Sequence, residues 1–184
     1  MRTFIAIEMP EEIRQKVGDY IDSISGMVDN IKWVAPENLH FTIKFIGEVN
    51  KSDLRELMGC IETTASEFTP FSMGLYGLGF FPSEIKPRVV WIGADGGADH
   101  LLEVFQTLEN CLEKVGYDRD SRTFSPHLTI GRAKKDKNVV VPEGLPEFEP
   151  VRFEISSIAL IKSTLTPQGP IYEKTFESKL THIE

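Results

Sequence analysis

The run His-x-Thr-Ile occurs twice in this 184-residue chain, as His40-Phe41-Thr42-Ile43 and as His127-Leu128-Thr129-Ile130. The chain has four histidines, so half of them sit in one repeated tetrapeptide. Alternate residues of a strand share a face. His40 therefore stands beside Thr42, with Phe41, Ile43 and Phe45 expected in the core behind them. His127 stands beside Thr129, with Leu128 and Ile130 behind. A free imidazole titrates at about 6.5, so of two that meet, one can be neutral and the other protonated. Such a pair supplies a general base and a general acid on opposite sides of a reacting centre. Two threonine hydroxyls can hold nonbridging oxygens between them, the layout that in-line substitution at phosphorus needs. A lone histidine on a half-buried strand is more often a polar residue with a satisfied hydrogen bond, and duplication without function would leave the same trace. The repetition in matching contexts tips the balance to a shared site. Zinc ranks lower, because a catalytic zinc usually takes three protein ligands and the sequence has no His-Glu-x-x-His motif or Cys/His cluster. Neither a metal nor a cofactor is expected.

Apolar periodicity supplies the elements that must position these residues. "RTFIAIEM" reads as a strand, and Pro10 followed by two glutamates opens a helix to about residue 26. Trp33 and Val34 suggest a short strand, Pro36-Glu37-Asn38 a turn, and Leu39 to Ile46 the strand of the first motif. A second helix spans roughly Ser52 to Phe68, with Ser52 as its expected N-cap. "FSMGLYGLGFF" is a glycine-interrupted strand expected to twist or bulge. The second half repeats the order: the strand "RVVWIGADG", a helix over 98–115 with Gly116 at its C-cap, then "HLTIGR". "VRFEISSIALIKSTL" reads as one long strand, "TPQGP" as a turn and "IYEKTFESKL" as a last strand. The pattern predicts an α+β fold, bilobal and pseudo-two-fold, as a single two-lobed domain over 1–184.

Composition narrows the function classes. A net charge of −8 argues against general affinity for nucleic acid but leaves room for a small basic groove. Cys60 and Cys111 lie far apart in helical segments and read as buried free thiols. No apolar run is long enough to span a membrane, and a soluble, cytoplasmic monomer is the expectation.

Beyond the two motifs, "RTFIAIEMPEEIRQKV", "GLGFFPSEIKPRVVWIG" and "LIKSTLTPQGPIYEKTF" extend a likeness along nearly the whole chain. Together with "WVAPENLHFTIKFIGEV" and "FSPHLTIGRAK", they resemble the two-histidine (2H) phosphoesterase superfamily and its branch of RNA 2′,3′-cyclic phosphodiesterases, historically called 2′-5′ RNA ligases. The resemblance implies two antiparallel sheets facing across a central cleft with helices outside. It implies hydrolysis of RNA 2′,3′-cyclic phosphate ends to 2′-phosphomonoesters, with His40 as proton donor and His127 as proton acceptor. A 5′-hydroxyl attacking at the same site would give a 2′-5′ linkage, so ligation of tRNA halves is an alternative activity. Capture of RNA ends without turnover is an alternative from the binding class. Candidate partners are RNA ends with a 2′,3′-cyclic phosphate, tRNA halves or small cyclic nucleotides.

Further residues are candidates beside the four motif positions. Arg132 could hold the phosphate with Thr42 and Thr129, but its odd offset from His127 requires a bend near Gly131; otherwise it is a surface arginine. Lys44 has the parity of His40 and faces either the cleft or solvent. Phe80 and Phe81 beside Pro82 could stack a base, with core packing the alternative for at least one. "DRDSR" and "AKKDK" add positive charge beside the second motif. Ser163 and Tyr172 read as structural or peripheral, and His100 and His182 as non-catalytic.

Overall fold

Residues Thr3 to Ile7 of β1 (Arg2–Glu8) are all buried, the signature of a strand covered on both faces and flanked on both edges. In the computed structural model, which describes residues 1–183, β1 lies between β3 (His40–Glu48) and β8 (Ser157–Thr166), and β9 (Gly169–Lys179) completes that four-stranded sheet. The second sheet has the order β2 (Ile31–Trp33), β6 (His127–Ala133), β5 (Val89–Asp95), β4 (Phe71–Phe81), β7 (Val151–Ile155). Every neighbouring pair is antiparallel. The order β3-β1-β8-β9 is matched by β6-β5-β4-β7, and β2 is an extra strand on the free edge of β6. This is the expected pseudo-two-fold α+β architecture, with each histidine opening a motif strand.

The helices follow from the apolar spacing. α1 (Glu11–Ser25) buries Ile13, Val17, Tyr20, Ile21 and Ile24, and Glu11 and Glu12 sit at the positive end of its dipole. Tyr20 seals the chain running to β7, its hydroxyl donating to the Pro146 carbonyl at 2.8 Å and its ring meeting Phe148 edge-on. α2 (Leu54–Ala65) packs on β8, β9 and α3 (Ala98–Lys114). α3 ends where Gly116 takes φ +95°, a left-handed turn that suits glycine. The glycine-interrupted strand bulges as expected: Gly77 has φ +69° where the β4–β5 register shifts. One core cluster joins Ile5, Ile7 and Phe41 of the first sheet to Leu75, Val90, Ile92 and Leu128 of the second. Phe4, Ala6, Ala159 and Ile161 form a smaller cluster on the opposite face of the first sheet, beneath Tyr172.

Three expectations are corrected. Ser52 does not cap α2: the helix begins at Leu54 after Asp53, and the Ser52 hydroxyl donates instead to the Asp53 carboxylate at 2.8 Å. The run 151–165 is not one strand but two. β7 pairs with β4 in the second sheet, and after Ser156 the chain crosses so that β8 pairs with β1 and β9 in the first. Continuous apolar character cannot report which sheet receives it. Cys60 and Cys111 are not free thiols; they form a disulfide, with Cα atoms 5.6 Å apart, because α2 and α3 pack side by side.

That disulfide closes a loop of 51 residues, which in the chain-entropy treatment stabilises the fold by about 4 kcal/mol. Urea unfolding of the oxidised protein, of the reduced protein and of Cys60→Ser/Cys111→Ser should show both altered forms less stable by about 2–4 kcal/mol. Coincident unfolding curves would contradict the assignment.

Candidate active site

Each motif strand carries an extra residue just after its threonine, and the first carries a second one at Ile46. In the first sheet Ala6 pairs with Thr42 but Ile5 with Lys44, leaving Ile43 without a partner. In the second, Trp91 pairs with Thr129 but Val90 with Gly131, leaving Ile130 without one. The isoleucine of both His-x-Thr-Ile runs is thus a β-bulge. A bulge shifts the inward–outward alternation by one residue. Before it, His40 and Thr42, and His127 and Thr129, line a common cleft of about 730 Å³. After it, residues at odd offsets from the histidine turn to the cleft. This is the bend that Arg132 required, and Arg132 lines the cleft. Its counterpart after the first bulge is Phe45, which is not the core residue expected from strict alternation: it lines the cleft and is 61% exposed.

The two imidazoles are anchored alike. His40 Nδ1 lies 2.6 Å from the Asn38 carbonyl and His127 Nδ1 lies 2.8 Å from the Ser125 carbonyl, in each case two residues upstream. A carbonyl only accepts, so each Nδ1 carries the proton and donates it, leaving Nε2 as the working nitrogen. His40 Nε2 meets the Thr42 hydroxyl at 3.1 Å. Asn38 belongs to the 3-10 turn Pro36–Asn38, whose amide side chain also donates to the Pro170 carbonyl at 3.1 Å. The turn before the first motif is thereby tied to the β8–β9 hairpin.

Residues 10–166 match the 2′-5′ RNA ligase superfamily. This chain belongs to that superfamily. Among its relatives, an RNA 2′,3′-cyclic phosphodiesterase of Thermotoga maritima is 34% identical over 96% of this chain and 94% of its own length. Another RNA 2′,3′-cyclic phosphodiesterase, from Archaeoglobus fulgidus, is 39% identical over 94% of this chain and 97% of its own. A solved protein of Thermus thermophilus superposes over 100% of both chains with a TM-score of 0.83 at 28% identity.

Within this superfamily fold the two histidines are not equivalent. His40 is stacked on Phe4, with ring centroids 4.7 Å apart, and Tyr172 meets it edge-on at 5.1 Å. His127 is exposed, with Trp91 at 6.2 Å. Burial pushes the His40 imidazole below its ordinary value of 6.5, against the opposing influence of the Asn38 carbonyl and the Glu8 carboxylate. Tyr172, expected to be structural or peripheral, packs on Phe4 and His40 and walls the cleft. Burial raises its phenol, and the charges of Arg132 and Arg2 pull the other way. Arg132 of the second sheet is therefore within electrostatic reach of the first.

Other candidates are redistributed. Lys44 touches the inner margin of the cleft, but the bulge turns it backwards and it is 6% exposed. Its ammonium pairs with Glu109 and donates to the Asp118 carbonyl at 2.7 Å, so its donors are directed into the protein. Phe80 pairs with buried Val90 and packs against the main core; Phe81, 64% exposed, is the one that reaches the cleft. Trp91 lies over Gly79, where a β-carbon would collide with its indole, and also lines the cleft. The signal for Trp91 was its register opposite Thr129, which no motif displays. Arg122 of "DRDSR" lines the cleft as well, whereas His100 stacks on Phe71 away from it. Among the described residues there is no group of three or more His, Cys, Asp or Glu placed to hold a metal ion.

Proton NMR should find His40 titrating below 6.5 in the free protein, assigned by the resonance lost in His40→Ala. Tyr172→Ala removes one burying ring and should raise that value toward 6.5; an unchanged titration would contradict burial as its cause.

Proposed function

We propose that this chain is an RNA 2′,3′-cyclic phosphodiesterase. The observation that carries the reading is the pair of His-x-Thr motifs in one cleft, each imidazole with Nδ1 committed to a carbonyl and Nε2 left for proton transfer. The activity named for the full-length relatives agrees with it.

The reaction balances on these groups. His127 Nε2 takes a proton from water as its oxygen attacks phosphorus, and the bond from phosphorus to the 3′ oxygen breaks. His40 delivers a proton to that departing oxygen, leaving a 2′-phosphomonoester. The lowered pKa makes protonated His40 a stronger acid, while the negative charge of a bound cyclic phosphate favours its protonation. When His40 is neutral, Thr42 donates to Nε2. Once Nε2 carries a proton it no longer accepts from Thr42: that proton is directed to the departing 3′ oxygen, and the hydroxyl hydrogen is freed for a nonbridging phosphate oxygen. Thr129 and Arg132 hold the nonbridging oxygens from the second sheet. No step in this scheme calls for a metal or a cofactor.

The surroundings suit an RNA end. Segments 84–88 and 132–137 hold six cations, Lys86, Arg88, Arg132, Lys134, Lys135 and Lys137, against Glu84 and Asp136, in a chain whose net charge is −8. The Arg88 guanidinium donates to the Lys137 and Lys134 carbonyls at 3.2 and 3.4 Å, joining the two segments beside cleft residues Phe81, Val89 and Arg132. Such a rim attracts backbone phosphates. Phe81, Trp91 and Phe45 offer aromatic faces to unstacked bases.

We propose that residues 1–184 act as one two-lobed monomer on RNA ends, tRNA halves among them, in the cytoplasm. Among the described residues no helix is long and apolar enough to cross a membrane. Structural disulfides are rare in reducing cytosol outside hyperthermophiles, so alkylation of Cys60 and Cys111 at cell lysis tests the location.

Incubated with EDTA and an RNA ending in a 2′,3′-cyclic phosphate, the protein should yield the 2′-phosphate. His40→Ala and His127→Ala should each lower the rate by about 10² or more. Release of only a 3′-phosphate, or full activity in both variants, would end the assignment. Because His40 must carry its proton, kcat/KM should decline as pH rises through its lowered pKa. Triple replacement of Lys134, Lys135 and Lys137 by Glu should raise KM for an oligonucleotide and flatten its salt dependence. The same variant should leave a 2′,3′-cyclic mononucleotide unaffected. Competition between water and a 5′-hydroxyl RNA separates hydrolysis from 2′-5′ ligation.

A further inference from the structure

Lys44 and Glu109 are the most deeply buried opposite charges in the described ion pairs, 6% and 2% exposed. One joins them from the first motif strand, the other from α3. Burying such a pair is no route to stability by itself, since two well-packed apolar side chains of similar volume usually serve as well. What the charges add is contact with a third segment. Lys44 Nζ donates to the Asp118 carbonyl at 2.7 Å, and the second carboxylate oxygen of Glu109 accepts the Asp120 amide at 2.8 Å. Between them Arg119 binds back to α3 through Glu113 at 3.0 Å and through Asn110. The far end of the same segment is fastened by Phe124, stacked on Phe105 of α3 at 4.4 Å and 9°. The next residue is Ser125, whose carbonyl holds His127 Nδ1.

We propose that the Lys44–Glu109 pair is a latch that sets the path of residues 118–125, making Lys44 a positioning residue for His127. The first motif strand thereby governs the geometry of the second motif's imidazole. The bulge at Ile43 makes this possible, by turning the Lys44 ammonium away from the open cleft and toward α3. The first motif strand thus carries both anchors: the Asn38 carbonyl just before it holds His40, and Lys44 within it acts through Glu109 and the 118–125 segment on Ser125 and His127.

The catalytic part of the test rests on the proposed phosphodiesterase activity; the structural part does not. In the doubly apolar variant Lys44→Met/Glu109→Leu, core volume is kept and the backbone contacts are lost. It should unfold at a temperature close to wild type. The Asp120 amide and its neighbours over 118–125 should exchange faster, and the His127 Nδ1 proton held by the Ser125 carbonyl should exchange faster with them. With a 2′,3′-cyclic mononucleotide, kcat should fall roughly ten- to a hundredfold with KM little changed, since the phosphate-binding side chains remain. Lys44→Arg, which keeps charge and donors, should retain most of the activity. Wild-type protection of 118–125 and of the His127 Nδ1 proton in the double variant would overturn the latch. Wild-type kcat in that variant would overturn it as well. If the wild-type protein turned over no cyclic phosphate, exchange of the 118–125 amides and of the His127 Nδ1 proton would still decide the latch, so the two failures are distinct.

Discussion

The unpaired isoleucine that follows the threonine of each motif decides which side chains the cleft contains. Ile43 and Ile130 occupy the same place relative to their histidines, and each shifts the alternation of the strand beyond it. Upstream, the bulge leaves histidine and threonine together on the cleft face. Downstream it brings in Phe45 on one wall and Arg132 on the other, and sends Lys44 into the protein. A flat strand would put a lysine where the cleft has an aromatic ring, and would turn the arginine away from the cleft. Bulges recur next to active sites because they re-aim side chains without breaking the sheet.

Near-symmetry of backbone coexists with asymmetry of environment. Both imidazoles donate from Nδ1 to a carbonyl two residues upstream, so their tautomers are set in the same way. Phe4 and Tyr172 enclose His40, while His127 stands on the open side near Trp91. Loss of hydration makes the imidazolium of His40 the costlier one to maintain. An anion between the two histidines offsets that cost, which couples protonation of the proposed acid to occupancy of the cleft. The histidine open to solvent is the one proposed to accept a proton from water.

The two sheets interleave rather than follow one another along the chain. β2 leaves the first half for the second sheet, and β8 and β9 return from the second half to the first. Cross-connections therefore link distant segments: the Cys60–Cys111 bond between α2 and α3, the Asn38 amide on the Pro170 carbonyl, and Lys44 on Glu109. The first joins the two helices, and the other two fasten the first motif strand and the turn before it to elements far away in sequence. A reaction that needs two groups on opposite walls depends on such bonds, because neither wall alone fixes the distance between them.

The repeated tetrapeptide, the helical periodicities and the strand–helix–strand order were legible in the residues, since each is local and repeats at 2.0 or 3.6 residues. They sufficed for the α+β class, for the pairing of His40 with Thr42 and of His127 with Thr129, and for the need of a bend before Arg132. Strict alternation misplaced Phe45 and left Lys44 between cleft and solvent, because a bulge is a property of two paired strands and one strand's sequence does not display it. Spacing misread the cysteines, since adjacency of α2 and α3 arises from packing across 51 residues. It also left Tyr172 and Trp91 outside the site, as their roles come from standing opposite His40 and Thr129 in the folded chain. The sequence by itself determined which chemical groups are available and which face of each strand they begin on. Only the tertiary structure decided which of them meet, because register, bulges and the crossing between sheets are set by partners far away along the chain.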